Sequence, residues 1–258
     1  MGYPKVSIIT PSYNQGSFIK QTIDSVLDQN YPNLEYWVID GGSTDKTVKI
    51  LKSYGRKIKW ISEKDKGQTD AINKGLKKIT GDIIAFINSD DYYEQNALKL
   101  VGSYFKNNPK CHWLTGDYRI VDETGKIKRS FIPWYKNMWK KLPTRVFLPI
   151  TNYISQPSTF WSRQAFENVG YFNEKLRYTM DYEYWLRLMK GHKLNIVSDV
   201  LSNFRVHKNS KGETDYVKQF NEEICSLKRL KVNSMLIGLH KVSNFFIKFV
   251  FSVLKKYE

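Results

Sequence analysis

The chain of 258 residues has few cysteines and lacks the loop motifs of two large nucleotide-binding classes. Cys111 and Cys225 are the only cysteines and form no CxxC pair, which argues against a disulfide framework and a structural zinc site. The sequence contains neither GxxxxGK(S/T) nor GxGxxG. The absence of both motifs argues against a P-loop ATPase and a Rossmann dehydrogenase.

Long uninterrupted apolar runs are also missing. The first residues, MGYPKVSIIT, have no charged region followed by a long apolar stretch, so we predict no secretory signal and a cytoplasmic location. The segment MLIGLHKVSNFFIKFVFSVLKK is apolar, but His240, Lys241, Asn244 and Lys248 interrupt it. These polar groups make a membrane-spanning helix energetically costly.

Acidic residues are absent from one long stretch of this basic chain. The formal net charge is +16, and residues 126–166 contain eight basic side chains and no acidic one. From Leu227 onward, seven basic residues accompany a single acidic residue, Glu258. Such segments suit anionic partners, either lipid headgroups or a phosphate-bearing acceptor. No nucleic-acid-binding module is recognisable, so we predict no nucleic-acid partner.

The first hundred residues alternate between two hydrophobic patterns. Short runs rich in β-branched and aromatic residues predict strands at 5–10, 35–40, 58–62 and 82–88. Apolar residues at helical spacing lie between these runs. The alternation predicts an α/β fold with a mostly parallel, doubly wound sheet and helices on both faces.

The second half has a less regular pattern. The sequence predicts a hairpin around Glu123–Gly125, a mobile or substrate-covering segment at Pro133–Pro149, and a helix at Asp181–Met189. The apolar residues of Leu194–Arg205 are consistent with a pair of strands or loops.

One apolar run, within TGDIIAFINSDD (Thr80–Asp91), ends directly in polar side chains. Asp90 and Asp91 are adjacent carboxylates that repel each other and lose hydration if buried, so a cation between them would explain their position. Ligands of open α/β sheets bind at the carboxyl ends of the strands, and carboxylates suit Mg²⁺ or Mn²⁺. The alternative is a surface turn or a helix cap.

Four motifs occur in order between Val6 and His207. They are PKVSIITPSYNQGSFIKQTIDSVLDQNYPNLEYWVIDGGSTDKT, KDKGQTDAINKG, TGDIIAFINSDD and DYEYWLRL. Together they resemble glycosyltransferase family 2, whose members have the GT-A fold. The resemblance implies a catalytic domain with a nucleotide-sugar-binding half (1–110) and an acceptor-binding half (111–215). Residues 216–258 would add a basic, amphipathic helical segment.

The resemblance also implies a pocket for a nucleotide-sugar donor. The donor contacts would be Thr10, Pro11, Tyr13 and Asp40 around the nucleoside, with Asp65, Lys66 and Asp70 further along the pocket. An Asp carboxylate can accept hydrogen bonds from a base N–H or from ribose hydroxyls. Alternatively, Asp40 forms a cap or turn, and Asp70 begins a helix. Many family members have a second Asp after the first, where this chain has Gly41.

A divalent metal, Mn²⁺ or Mg²⁺, is implied by the same resemblance. Asn88, Ser89 and Asp90 occupy the family's DxD position, with Asn88 in place of the usual first Asp. Asn88 and Ser89 would contact the donor, Asp90 would bind the metal, and Asp91 would hold it through water or orient the sugar. His207 would be a further ligand, and an imidazole favours Mn²⁺. The alternative for His207 is a solvated loop histidine.

Asp181, at the start of DYEYWLRL, is the candidate general base. The resemblance implies that it takes the proton from the acceptor hydroxyl as that oxygen attacks the anomeric carbon of the sugar. The alternative is a carboxylate that compensates a helix N-terminus. Gln156, Ser158 and Trp161 would lie on the acceptor side, where Trp161 either stacks on a sugar or belongs to the core.

The apolar C-terminal segment has two interpretations. An amphipathic helix in a membrane interface would turn Phe245, Phe246, Phe249 and Val250 toward the lipid and place lysines at anionic headgroups. Alternatively, the helix docks on the catalytic domain or on a dimer partner.

The overall prediction is a metal-dependent inverting glycosyltransferase, cytoplasmic or at the cytoplasmic face of a membrane. It would move a sugar from a nucleoside diphosphate, with UDP as the expected nucleotide, to a hydroxyl of a glycan or lipid-linked acceptor in cell-surface polysaccharide synthesis. A sugar-nucleotide nucleotidyltransferase is the alternative enzyme, although TPSYNQGSF lacks a glycine-rich basic loop for a triphosphate. A basic nucleic-acid-binding or membrane-binding module is the non-enzymatic alternative.

Overall fold

A computed structural model describes residues 2–208, 210 and 216–254, with side chains for 2–208, 210 and 217–248. The strands are β1 (Val6–Ser12), β2 (Leu34–Asp40), β3 (Lys59–Ser62), β4 (Ile83–Phe86), β5 (Tyr92–Tyr93), β6 (Trp113–Val121), β7 (Ile127–Lys128), β8 (Thr159–Ser162) and β9 (Asn195–Arg205). The helices are α1 (Ile19–Leu27), α2 (Thr47–Ser53), α3 (Gln68–Leu76), α4 (Ala97–Asn107), α5 (Phe131–Lys140), α6 (Thr144–Phe147), α7 (Arg163–Val169), α8 (Met180–Gly191), α9 (Tyr216–Arg229) and α10 (Ser234–Leu254).

The described strands form one sheet in the order β3-β2-β1-β4-β8-β6-β9-β5, with β7 paired to β6. Strands β3, β2, β1 and β4 run parallel, which confirms the predicted doubly wound arrangement. Their register aligns the ends of β1, β2 and β3, because Ser12 lies opposite Asp40 and Asp40 lies opposite Ser62, whereas β4 ends at Phe86, opposite Ile9. The loops that follow these strands therefore leave the sheet at the same edge.

Side chains of the parallel strands alternate between two buried clusters. Ile9, Ile84 and Phe86 belong to the cluster under α3, α7 and α8, whereas Ile8 and Ala85 belong to the cluster under α1, α2 and α4. This alternation is the period-two pattern of a strand that is covered on both faces. The sheet is thus the middle layer of a three-layer α/β fold.

The second half adds mixed strands to the same sheet. β6 and β7 form the predicted hairpin, and Leu194–Arg205 contains one long strand, β9, parallel to β6. The expected covering segment is folded as α5 and α6. Lys140 anchors α5 to β6, since its Nζ donates to the carbonyl of Gly116 at 2.7 Å and to Asp117 Oδ1 at 2.8 Å.

The C-terminal helices pack on the rest of the fold. His240 of α10 is fully buried, with Nδ1 3.1 Å from the carbonyl oxygen of Pro149 and Nε2 3.1 Å from Glu223 Oε2. Asn244 Nδ2 donates to the same Glu223 oxygen at 3.3 Å. The predicted alternative of docking is therefore present, and the polar side of α10 is the side that docks. The side chains of Phe249 and Val250 lie outside the described residues.

No helix within 2–208, 210 and 216–254 has both the length and the apolar character needed to cross a bilayer.

We expect Gly75→Ala to destabilise the fold. A Cβ at Gly75 would come within 2.7 Å of Ile9 Cγ2, so α3 would have to move away from β1. Overpacking of this kind costs about 1–3 kcal/mol and should appear as a lower urea midpoint. Gly238→Ala on α10 is the matched control, because nothing lies within 4 Å of that position. Equal midpoints for the two variants would contradict the close packing of α3 on β1.

Candidate active site

The loops after β1, β2, β3 and β4 meet at the carboxyl edge of the sheet. β1 pairs with β2 on one side and β4 on the other, and ligands of such sheets bind where the strand order reverses. Most of the predicted site residues lie in these loops, although their sequence positions are far apart.

Asp40, the last residue of β2, is fully buried and holds the loop that follows it. Its Oδ2 accepts hydrogen bonds from the backbone N–H of Ser43 at 2.9 Å and from Ser62 Oγ at 2.7 Å. Its Oδ1 accepts from Ser43 Oγ. Asp40 thus forms the turn that was the alternative interpretation, and a nucleoside would have to exchange these hydrogen bonds to reach it.

The end of β1 was predicted to contact the nucleoside through three residues. Thr10 is fully buried, with Oγ1 3.0 Å from Tyr36 OH, and Pro11 is also buried. Tyr13 has 59% of its surface exposed. Of the three side chains, Tyr13 is therefore the one that is presented to a ligand.

The loop after β3 brings further carboxylates toward Asp40. Asp70 Oδ2 accepts from the backbone N–H of Lys66 at 3.0 Å and lies 3.6 Å from Lys74 Nζ, while the Lys66 side chain is exposed. Burial raises the pKa of Asp65, and the charges of Asp70 and Asp40 add to this rise. Such crowding of negative charge favours a nearby cation.

The Asn88 side chain, just beyond β4, forms hydrogen bonds with three other side chains. Its Oδ1 accepts from Gln68 Nε2 at 2.6 Å, and its Nδ2 donates to Asp91 Oδ2 at 3.1 Å and to Gln156 Oε1 at 3.3 Å. Asn88 therefore connects the loops after β3 and β4. Sequence reasoning did not select Gln68, although it lies in the quoted motif KDKGQTDAINKG.

Asp91, predicted to hold the metal through water or to orient the sugar, is buried and bonded to the protein. It is 1% exposed, and its Oδ1 accepts from the backbone N–H of Arg205 at 2.9 Å. Burial raises the pKa of Asp91 well above its usual value, and neighbouring Asp90 adds to the effect. Thr22 Oγ1 donates to the carbonyls of Asp91 and of buried Ser89, at 2.7 and 2.9 Å. Through these hydrogen bonds, Ser89 and Asp91 hold the loop after β4 against Thr22 of α1 and Arg205 of β9.

Asp90, in the loop after β4, forms a pair with His207, which follows β9. His207 Nε2 lies 3.0 Å from Asp90 Oδ2, and the imidazole packs on the Phe18 ring with centroids 4.9 Å apart. No three His, Cys, Asp or Glu side chains are grouped as a complete metal site in the described part of the chain. A carboxylate and an imidazole nevertheless fit Mn²⁺ or Mg²⁺ when phosphate oxygens and water complete the coordination.

Asp181 lies in the first turn of α8. Burial raises the pKa of the Asp181 carboxyl to about 6, and the charge of Glu223 contributes to this rise. The nearby Lys136 ammonium acts in the opposite direction and lowers the pKa. A pKa near neutrality suits a general base. Sequence reasoning noted the basic segment that contains Lys136 but had no signal that it approaches Asp181.

The loop before α8 ties Asp181 to the crevice. Thr69 Oγ1, in the first turn of α3, donates to the carbonyl of Leu176 at 3.2 Å, and Asn73 Nδ2 donates to the carbonyl of Phe172 at 2.9 Å. α3 begins at Gln68, the residue that bonds Asn88. The start of α8 is thus connected to the end of β4 through α3.

Glu222 of α9 holds the backbone that leads into α8. Its carboxylate accepts hydrogen bonds from the backbone N–H groups of Arg177, Tyr178 and Thr179 at 2.7–2.8 Å. These three residues directly precede α8, so Glu222 fixes the direction in which the chain enters the helix. No local pattern indicates this contact, because Glu222 lies more than forty positions after the residues that it bonds.

The residues assigned to the acceptor side are largely structural. Trp161 is 1% exposed and packs against Trp185 and Phe172, so it belongs to the core and does not stack on a sugar. Ser158 is fully buried, with Oγ 2.6 Å from Ser202 Oγ. Gln156 bonds Asn88 and is the one member of the three that touches the candidate site.

The family model described as Glycosyl transferase family 2 matches residues 7–170, more than half of the chain. The chain belongs to this family. It therefore contains a glycosyltransferase domain, and the nucleotidyltransferase and non-enzymatic alternatives are set aside.

Two relatives illustrate the sequence similarity within the family. An uncharacterized glycosyltransferase of Rickettsia felis is 30% identical over 85% of this chain and 37% of its own length. Chondroitin synthase of Escherichia coli is 26% identical over 84% of this chain and 31% of its own length. The chain thus spans about a third of the length of these two relatives.

Solved structures show the same GT-A fold. S. aureus TarS 1–349 in complex with UDP-GlcNAc has a TM-score of 0.67 and 21% identity, covering 86% of this chain and 66% of TarS 1–349. Mannosyltransferase PcManGT from Pyrobaculum calidifontis, in complex with GDP-Man and Mn²⁺, has a TM-score of 0.70 and 18% identity, covering 90% and 65%. At these identities the likeness concerns the fold.

The structure gives a physical reason for one departure from the usual glycosyltransferase family 2 motif. A Cβ at Gly41 would lie 2.5 Å from Asp65 Oδ2, so the Asp65 carboxylate fills the space that a second Asp side chain after Asp40 would enter. The crevice thus receives its second carboxylate from the loop after β3 instead of the loop after β2.

We expect Glu222→Gln to impair the alignment of Asp181. The amide has one acceptor oxygen where the carboxylate has two, so part of the hydrogen bonding to the backbone before α8 would be lost. Removing such a hydrogen bond costs about 1 kcal/mol and should lower the transfer rate several-fold with little change in donor affinity. Glu167→Gln, an exposed change on α7, is the control. A transfer rate like that of the control would contradict this positioning role.

Proposed function

We propose that the protein is a metal-dependent inverting glycosyltransferase that uses a nucleoside diphosphate sugar, with UDP as the nucleotide. The observation that carries the proposal is the placement of carboxylates at the carboxyl edge of the parallel strands, with Asp40 ending β2, Asp65 after β3 and the Asp90 of the Asp90–His207 pair after β4. Family membership and the nucleotide-sugar complexes of two structural neighbours support the same reaction class.

The donor pocket we propose lies between the loops after β1, β2 and β3. Exposed Tyr13 would stack on the base, and Asp65, whose carboxylate is the closest group to Gly41, would accept from the base or ribose. Lys66 is exposed in the same loop and would contact a phosphate. The floor of this pocket would be formed by the buried residues Thr10, Pro11 and Asp40.

Asp90 and His207 would hold the metal ion, and Asn88 would contact the donor beside them. When bound, Mn²⁺ or Mg²⁺ would offset the negative charge that develops on the departing diphosphate. The O and N donors of this pair favour Mn²⁺, as an imidazole ligand does generally. Asp91 and Ser89 would act beneath the pair, through the hydrogen bonds that fix the loop.

Asp181 would act as the general base. Its carboxylate would accept the proton of the acceptor hydroxyl while the acceptor oxygen forms a bond to the anomeric carbon and the bond to the diphosphate breaks. A single displacement of this kind inverts the anomeric centre and needs no covalent enzyme intermediate. A pKa of about 6 keeps Asp181 ionised at neutral pH, so that it is ready to accept the proton.

The acceptor we propose is a hydroxyl of a glycan or of a lipid-linked glycan in cell-surface polysaccharide synthesis. The names of two relatives, chondroitin synthase and hyaluronan synthase, are consistent with polysaccharide acceptors. Residues 1–110 would bind the donor and residues 111–215 the acceptor, with the chain on the cytoplasmic side of a membrane to which it attaches peripherally.

A thermal-shift screen of nucleotide sugars tests the donor class. We expect UDP-sugars with Mn²⁺ to raise the Tm, because ligands that bind only the folded state stabilise it in proportion to their affinity. GDP-sugars, and UDP-sugars in the presence of EDTA, are the controls. A Tm that no nucleotide changes, with or without metal, would contradict the proposal.

Two substitutions separate metal binding from base catalysis. We expect Asp90→Ala to abolish metal-dependent turnover and Asp181→Asn to lower transfer by a factor of about 10²–10⁴ while donor binding is retained. Exposed Asp28→Asn on the far end of α1 is the control. Wild-type transfer in Asp181→Asn would exclude the assignment of the base.

The pH profile tests the electrostatic setting of Asp181. Since the base must be ionised, we expect kcat to fall as the pH drops below about 6, the pKa of Asp181. Lys136→Gln removes a cation that favours the ionised form, so the acidic limb should move to higher pH. Lys141→Gln, an exposed change at the end of α5, should leave the limb in place. A limb unmoved by Lys136→Gln would show that Asp181 does not control it.

A further inference from the structure

Helix α10 is oriented with its polar side inward and its apolar side outward. Buried His240 contacts Pro149 and Glu223, buried Asn244 bonds Glu223, and Ile237 packs on the buried cluster around α8. Phe245 and Phe246 have 67% and 61% of their surfaces exposed. A helix that only stabilised a water-soluble domain would show the reverse arrangement.

The exposed side of α10 is a continuous stripe. Its exposed apolar side chains recur at intervals of four, three and four residues, with one additional phenylalanine beside the last. The members are Met235, Leu239, Val242, Phe245 and Phe246. None of these five positions carries a charged residue, so the stripe is apolar along its whole length.

A second exposed stripe lies on the neighbouring helices α5 and α6. Its members are Phe131, Trp134, Met138, Leu142 and Val146. Trp139 and Phe147, on the same two helices, pack on the buried cluster that also receives Ile237 of α10. The contact between His240 and the carbonyl of Pro149, three residues after Val146, places α10 beside the end of α6. We call the two stripes together the apolar face.

The charges around the apolar face have one sign. Exposed Lys141 and Arg145 accompany the α5–α6 stripe, and exposed Lys241 accompanies the α10 stripe. Residues 126–166 contain no acidic side chain, and α10 contains none either. The nearest carboxylates of α9, Glu222 and Glu223, are turned inward and bonded to the protein. Within the described parts of α5, α6 and α10, the exposed charges are therefore cations.

From this combination we infer that the apolar face binds the surface of an anionic phospholipid membrane. Exposed Trp, Phe and Leu side chains would enter the boundary between headgroups and acyl chains, while the lysines reach the phosphates. A second copy of the chain suits the face less well, because a symmetric contact would bring identical cations against one another. The inference does not depend on the transfer reaction, since vesicle binding requires neither donor nor metal.

Vesicle co-sedimentation of the full chain tests the inference. We expect binding to vesicles that contain phosphatidylglycerol, at least about ten-fold weaker binding to pure phosphatidylcholine, and weaker binding at high salt. The double change Phe245→Ser with Phe246→Ser should weaken binding to anionic vesicles by at least about ten-fold, because two large apolar groups no longer enter the interface. Both side chains are exposed, so the Tm should not fall.

Three further variants make the result specific. Trp134→Ser should weaken binding on its own, and Lys241→Glu should reduce the preference for anionic lipid. Ile196→Ser, an exposed apolar position on β9, is the control and should bind as the wild type does. Donor-induced thermal shift should be unchanged in all of them, which separates this inference from the proposed catalytic function.

Three outcomes would overturn the inference. They are the absence of vesicle binding by the wild type, equal binding to neutral and anionic vesicles, and full binding by the Phe245→Ser, Phe246→Ser variant. Sedimentation velocity distinguishes the rival occupant: a dimer that forms without lipid and is lost in that double variant would assign the apolar face to a second copy of the chain.

Discussion

The parallel register of β3, β2, β1 and β4 is the constraint on which the candidate site depends. It aligns the ends of β1, β2 and β3, so that Asp40 of β2 lies between Ser12 of β1 and Ser62 of β3. The residues that follow each strand then share one edge of the sheet, where Asp40, Asp65 and Asp70 lie close enough for their charges to interact. Mutual repulsion makes this arrangement costly without a cation, which is why the geometry favours metal and phosphate chemistry.

The C-terminal helices complete the site as well as the fold. Glu222 holds the backbone that leads into α8, and Glu223, the next residue of α9, bonds His240 and Asn244 of α10. The two adjacent glutamates therefore connect the position of Asp181 to the docking of α10. Because α10 also presents the apolar face, attachment to a surface and the placement of the proposed base would share one structural support.

Local pattern and motif predicted the fold well but the side-chain contacts poorly. The four predicted strands of the first half agree with β1 to β4 to within two residues, because their apolar period reflects burial on both faces. Trp161 was an ambiguous aromatic, and only the packing of its neighbours decides that it is core. Asp91 was grouped with Asp90 by adjacency, yet successive residues of a loop can point in opposite directions.

Long-range contacts account for what the sequence could not supply. Lys136 lies near Asp181, and Glu222 accepts hydrogen bonds from the residues before α8. In both cases the partners are far apart in the sequence, so no local pattern indicates the contact. The same limit applied to α10, whose composition indicated an amphipathic helix but not which side would dock. Its buried polar side follows from the partners that Pro149 and Glu223 offer, and these are fixed by the tertiary structure.

The proposed function requires that a nucleoside diphosphate and a metal ion bind together at the carboxyl edge of the sheet. Anomalous diffraction from crystals of the protein with UDP and Mn²⁺ measures this directly. We expect a manganese peak within coordination distance of the Asp90 carboxylate and the His207 imidazole, with the diphosphate on the same ion and the base against Tyr13. A manganese ion and nucleotide bound away from Asp90 and His207 would contradict it.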